Sequence, residues 1–198
     1  LNAELRFLKA QINPHFLFNT LNNLYALAFS KSPNTTEVIA KLSQMMRYMI
    51  YDSNHTMVPL GKEIEYMENY ISLEKLRLNE QIPIEFKVEG DPAPLQIVPM
   101  ILIAFLENAF KHGVNNNATN AWIRVNINLQ GKKIRYTIEN SKIASSNHDH
   151  SGFGLQNVQR RLELSYPEKY QLNIQDETES FTVNLELDLA SYLPLRTQ

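Results

Sequence analysis

The sequence predicts an α+β protein: a helical hairpin followed by a two-layer sandwich of helices against a five-stranded sheet. Two patterns carry that prediction. Up to Arg77, apolar residues recur at the 3.6-residue spacing of helices with one buried face; beyond it, five separate runs alternate apolar and polar residues, the period of a strand. A third observation bounds the answer. The chain has 198 residues, 43% apolar and 20% charged, enough to bury a real core.

Residues 1–30 read as one helix interrupted by Pro14. Leu5, Leu8 and Ile12 form its stripe before the proline, and Phe16, Leu17, Leu21, Leu24 and Ala28 continue it. Lys31-Ser32-Pro33-Asn34 is a turn, and a second helix carries Val38, Ile39, Leu42, Met45, Met46, Met49 and Ile50. Two helices joined by a short turn predict an antiparallel hairpin, and their wide apolar stripes predict burial against a partner pair, as in a four-helix bundle. A third helix spans roughly Leu60–Arg77. Strands follow around Ile84–Val88, Ile123–Leu129, Ile134–Ile138, Leu172–Ile174 and Phe181–Leu189, with a turn at Gly131. One apolar face per strand means a sheet covered on one side, by helix 60–77, a helix ending near His112 and another from Leu155 to about Ser165. Trp122 and the methionines 45, 46 and 49 read as packing residues.

Composition excludes several classes. A net charge of −2 argues against non-specific nucleic-acid binding, which needs clustered Lys and Arg. The absence of cysteine excludes a disulfide scaffold. No run reaches the roughly 20 apolar residues of a membrane-spanning helix, and no signal peptide is visible. The chain begins at Leu1 inside a helical pattern, from which an excised fragment is expected.

Three segments carry chemistry. In Gln11-Ile12-Asn13-Pro14-His15-Phe16-Leu17-Phe18-Asn19, helical spacing puts Gln11, His15, Asn19 and Asn22 on one polar lane. Pro14 loosens the backbone beside His15. An imidazole on a rigid helix can serve as a nucleophile, and a surface histidine beside a kink is the structural alternative. In Pro99–Gly113, Asn108, Lys111 and His112 share one side of the last helical turn. An amide oxygen suits Mg²⁺ and a lysine suits phosphate; equally, cations and a capping glycine are ordinary features of a helix C-terminus. In Ser151-Gly152-Phe153-Gly154-Leu155-Gln156-Asn157-Val158, two glycines immediately before a helix leave backbone N–H groups open to an anion, or form only a flexible turn.

In this order and spacing, the three segments resemble the LytS/YehU-type sensor histidine kinases. The acceptor box is Pro14-His15-Phe16-Leu17-Phe18-Asn19, the N box Glu107-Asn108-Ala109-Phe110-Lys111-His112-Gly113, and the glycine box Gly152–Val158; Leu73-Glu74-Lys75-Leu76-Arg77 is also similar to this family. The resemblance implies a dimerisation and phosphoacceptor hairpin over residues 1–58. It implies a GHKL (Bergerat-type) ATP-binding domain with a mixed five-stranded sheet over 59–198. It further implies phosphorylation of His15 by ATP and transfer to an aspartate of a response regulator. By that analogy Asn108 holds Mg²⁺, Lys111 and His112 contact the phosphates, the Gly152–Gly154 segment and the helix start at Leu155 close over them, and residues 141–151 form a lid. The partners implied are a second copy of the chain and a receiver domain. The implied location is the cytoplasmic side of a membrane, reached through an upstream segment of the parent.

Three positions depart from the pattern. The aspartate that usually accepts the adenine amino group has no counterpart in Ile138-Glu139-Asn140-Ser141-Lys142. Asn140 shares the parity of Ile134, Tyr136 and Ile138, faces the helical layer, and is the candidate adenine contact. Ala104 stands where ATP-hydrolysing relatives such as gyrase and MutL place a water-activating glutamate, which suits a kinase rather than an ATPase. Phe16 replaces the acidic residue that often follows the acceptor histidine. A non-catalytic dimeric interaction module with degraded nucleotide binding is the alternative, favoured by Asn140-Ser141-Lys142. His148-Asp149-His150 reads as lid rather than metal site.

Overall fold

A computed structural model of the chain describes residues 14–78, 82–114, 120–142 and 152–191. Helix α1 (Pro14–Phe29) turns through Lys31, in the left-handed region at φ 53°, into α2 (Thr35–Ile50). The sequence before Pro14, including the expected stripe of Leu5, Leu8 and Ile12 and the polar Gln11, lies outside the described residues, as do His148-Asp149-His150. A 3₁₀ turn at Asp52–Asn54 and strand β1 (Val58–Pro59) lead to α3 (Leu60–Arg77), whose bounds match those read from the sequence. Glu63 in its first turn and Lys75 and Arg77 in its last complement the helix dipole.

Strands β2 (Ile84–Glu89), β4 (Ile123–Gln130), β5 (Lys133–Ser141), β7 (Ser180–Asp188) and β6 (Tyr170–Asp176) form the five-stranded sheet, in the order β2-β4-β5-β7-β6. It is mixed. β2 and β4 run parallel because α4 (Leu102–Gly113) crosses over between them, whereas the other pairs are antiparallel. The buried face is the predicted one, Ile123, Val125, Ile127, Ile134, Tyr136, Ile138, Val183, Leu185 and Leu187. The opposite face is solvated, with Arg135 bonded to Glu186 at 2.8 Å. Helix α4 lies directly on the sheet, flanked by α3 and α5 (Gly152–Ser165).

Four details correct the sequence reading. A second, small sheet of β1, β3 (Leu95–Ile97) and β8 (Ala190–Ser191) was not expected, since strands of two or three residues are too short to show a period. Helix α5 begins at Gly152, not Leu155, so both glycines lie in its first turn rather than in a loop before it. Strand β5 runs on through Ser141, which therefore belongs to the sheet and not to a lid; residues 143–151 lie outside the described ones. Trp122 is only half-buried and sits under the Arg124 guanidinium, 4.6 Å from its ring centroid.

The hairpin splits its apolar residues between two faces. Val38, Leu42, Met45 and Tyr48 of α2 are buried, and Phe16 of α1 stacks on Tyr70 of α3 at 4.6 Å between centroids. Phe18, Tyr25 and Phe29 of α1, and Ile39, Met46 and Ile50 of α2, remain exposed, Phe29 at 81%. Among the described residues no helix is long and apolar enough to cross a membrane.

Candidate functional site

Where α1 meets α3, α4 and α5 there is a cavity of about 590 Å³. It brings together His15 and Asn19 from α1; Tyr70, Glu74 and Arg77 from α3; Asn108, Lys111 and His112 from α4; and Gly154, Asn157 and Arg161 from α5. His15 is exposed, with the Asn19 amide nitrogen 3.2 Å from its Nδ1 and 3.3 Å from its Nε2, as the shared polar lane anticipates. Asn22 lies on the same helix, exposed and outside the cavity lining. Ring stacking fixes α1: Phe16 lies on Tyr70, and Tyr70 meets Phe110 of α4 edge-on at 5.3 Å. Phe16, which departs from the acid common at this place in the family, therefore anchors the helix.

The last turn of α4 places Asn108 half-buried, Lys111 exposed and His112 half-buried, all three on the cavity wall. Burial pushes the His112 imidazole below its ordinary value, and the neighbouring Lys111 ammonium pushes it the same way. Gly113 is not the left-handed cap the sequence allowed. A Cβ there would lie 2.7 Å from Asn140 Cβ, so the position is glycine because β5 approaches it closely.

Asn140 is buried on the helix-facing side, as its parity predicted. Its Nδ2 donates to the Ser141 carbonyl at 2.8 Å, it packs on Gly113, and it does not line the cavity. Leu155 is half-buried against the core rather than in the cavity wall, Gly154 lines the cavity, and Gly152 starts α5. Ala104 also lines the wall.

Sequence reasoning missed the α3 contributors and Arg161 of α5. Glu74 accepts Arg77 Nε at 2.8 Å and Nη2 at 2.5 Å. Arg161 is 5% exposed and donates to the carbonyls of Pro99 at 2.5 Å and Met100 at 3.0 Å.

Among the described residues, two buried side-chain atoms lack any hydrogen-bond partner, His112 Nε2 and Arg161 Nε, and both residues line this cavity. An unpaired buried polar group costs about 1–3 kcal/mol, so both atoms suit a polar ligand. Together with the Lys111 ammonium and the Asn108 amide they form a donor set that fits a polyphosphate and its hard cation.

In fold, the chain is similar to a histidine-kinase catalytic domain. It superposes on the catalytic domain of the histidine kinase ThkA with a TM-score of 0.51 at 14% identity, over 67% of this chain and 95% of that one. A family profile described as histidine kinase matches residues 3–82. The sensor protein LytS of Oceanobacillus iheyensis is 29% identical over 189 residues, covering 88% of this chain and 32% of LytS. The sensor histidine kinase BtsS of Escherichia coli K12 is 27% identical over 181 residues, covering 91% and 32%. The chain thus spans about a third of the length of these curated relatives. Over that part the chain is similar to the LytS-type sensor histidine kinases.

Proposed function

We propose that this chain is the catalytic part of a sensor histidine kinase, phosphorylating its own His15 from Mg-ATP and passing the phosphoryl group to an aspartate of a response regulator. In this reading residues 1–58 are the dimerisation and acceptor unit and 59–198 the nucleotide-binding unit. The observation that carries it is that His15 lines the same cavity as Asn108, Lys111 and Gly154. That cationic and amide lining supports the catalytic reading over an interaction module.

Mg-ATP, when bound, supplies the phosphoryl group and a leaving diphosphate. Asn108 would hold the cation through its amide oxygen, and Lys111 and His112 would meet the phosphate oxygens. Gly152, Gly154 and Leu155 would present the open N–H groups of the first turn of α5, and Asn140 would serve the adenine end. A His15 ring nitrogen would form the new N–P bond through its lone pair as the bond from the γ-phosphorus to the β-phosphate oxygen breaks, with the Asn19 side chain beside the ring. Ala104 offers no carboxylate to activate water, so the histidine is the favoured acceptor. The exposed apolar residues of the hairpin, Phe18, Tyr25 and Phe29 with Ile39 and Ile50, suit a second copy of the chain completing a four-helix bundle. The parent protein would be anchored in the cytoplasmic membrane by a segment outside this sequence.

Incubation with γ-labelled Mg-ATP is expected to give an acid-labile, alkali-stable label that His15→Gln abolishes. Asn108→Ala is expected to lose the label while retaining its fold. The same label persisting in His15→Gln would overturn the assignment.

A further inference from the structure

Among the described residues, the most deeply buried carboxyl group is not in the cavity. Glu63, in the first turn of α3, is 0% exposed. All its partners are donors: the Tyr48 hydroxyl from α2, and the backbone N–H groups of Met100 at 2.9 Å and Leu102 at 3.2 Å, at the start of α4. Burial holds the Glu63 carboxyl above its ordinary value, and the Tyr48 hydroxyl, the Met100 N–H, the nearby Arg161 and the Ile103 N–H offset only part of that.

The turn that Glu63 grips is strained. Met100 has φ 62°, a region that costs a side chain with a Cβ about 1–2 kcal/mol. Its N–H is held by Glu63 on one side, while its carbonyl and that of Pro99 are held by Arg161 of α5 on the other. A strained turn persists only when its surroundings over-determine it. Here the determinants come from α2, α3 and α5, and the element they fix is α4, which carries Asn108, Lys111 and His112.

We infer that Glu63 is a positioning residue for phosphoryl transfer, which joins Tyr48 of the acceptor hairpin to the strained Met100 turn and so sets α4 relative to the helix bearing His15. The inference rests on the kinase reading above. It concerns the alignment of the two halves of the cavity rather than affinity for nucleotide. A second polar seam between the same helices runs along α2, where Lys41 donates to Ser72 at 2.6 Å and Asn69 donates to Gln44 at 3.2 Å. Among these described contacts, only that of Tyr48 continues through a buried carboxyl group to α4.

The test uses the whole chain with Tyr48→Phe, which removes one hydroxyl and keeps the ring packed 4.9 Å from that of Tyr66. The expected single-turnover rate constant for His15 labelling at saturating Mg-ATP falls about tenfold or more, while half-saturating ATP stays within about twofold. A merely destabilised sample would lose labelling amplitude, not the rate constant. Amide exchange at Met100, read on the same samples, is expected to quicken. A saturating rate within twofold of the parent, a loss confined to ATP affinity, or unchanged exchange at Met100 overturns the inference. Glu63→Gln, which sets an amide N–H₂ among donors, is expected to give the same split more strongly. A parent chain that leaves His15 unlabelled refutes the kinase reading itself, whereas a labelled parent with an unaffected Tyr48→Phe refutes only the role of Glu63.

Discussion

Gly113→Ala sets two opposing effects against each other, and the geometry decides between them. Glycine to alanine in a helix gains up to about 1 kcal/mol from propensity. Against this, the added Cβ would lie 2.7 Å from Asn140 Cβ, 2.8 Å from Nδ2 and 3.0 Å from Cγ. Carbon atoms pack at about 3.5–4.0 Å, so one of the two elements must retreat by roughly 1 Å. Asn140 cannot. Its strand is paired on both sides, opposite Ile123 and Phe181, and its side chain is tied to the Ser141 carbonyl. The end of α4 must lift instead, straining the 3.0 Å bond from Ser141 Oγ to the Gly113 carbonyl. Overpacking of this kind costs about 1–3 kcal/mol. The terminal position captures only part of the propensity gain, leaving a net loss of about 1–2 kcal/mol. In urea this is a fall of roughly half to one molar in the unfolding midpoint with an unchanged slope. Because the same turn carries Lys111 and His112, Mg-ATP affinity should fall as well. Asn140→Gly removes the opposing Cβ and should recover most of the loss in the double variant, with a coupling of about 1 kcal/mol. Asn140→Ala keeps that Cβ and should recover little. A Gly113→Ala chain as stable as its parent, or equal rescue by Asn140→Ala and Asn140→Gly, would refute the close-approach reasoning.

Two further outcomes are expected. Burial, and then Lys111, hold His112 below its ordinary value, so between that lowered value and about 6.5 the unfolded chain binds more protons than the folded one. Stability should therefore rise with pH through that window and be lost as pH falls below it. Chemical denaturation as a function of pH should show a shallower slope there in His112→Gln, and equal slopes would refute the assignment. Second, the cavity takes His15 and Asn108 from one chain, so transfer is expected within a chain. A co-expressed heterodimer of His15→Gln with Asn108→Ala should carry no label, and restored labelling would show that the histidine of one copy reaches the nucleotide of the other.

What the sequence discloses depends on whether a residue's neighbours are local. The bounds of α3 and the inward faces of β4, β5 and β7 follow from periodicity, because one buried face imposes one spacing on contiguous residues, whereas on the edge strand β6 Ile174 is exposed. The start of α5 was placed three residues late because glycine lowers helix propensity, a penalty that Gly152 and Gly154 bear in a first turn whose N–H groups have no intrahelical partner in any case. Strand β5 ran past its apolar residues because Ser141 spends its hydroxyl on the Gly113 carbonyl and on the Trp122 N–H, contacts made across 28 and 19 residues. The candidate site was legible as three segments, but not the α3 wall that joins them. Glu63 and Glu74 share a residue type with Glu65 and Glu68 of the same helix, and composition cannot separate them. Spacing can. Glu63, Met67, Tyr70 and Glu74 fall at i, i+4, i+7 and i+11, one lane of the helix, and all four are buried. Acids aligned with a buried methionine and tyrosine must find donors, since an unpaired buried carboxylate is not sustainable. The lane therefore predicts that partners exist. It cannot name Tyr48, Met100 or Arg77, because those meet the acids only once the hairpin, α4 and the end of α3 are assembled.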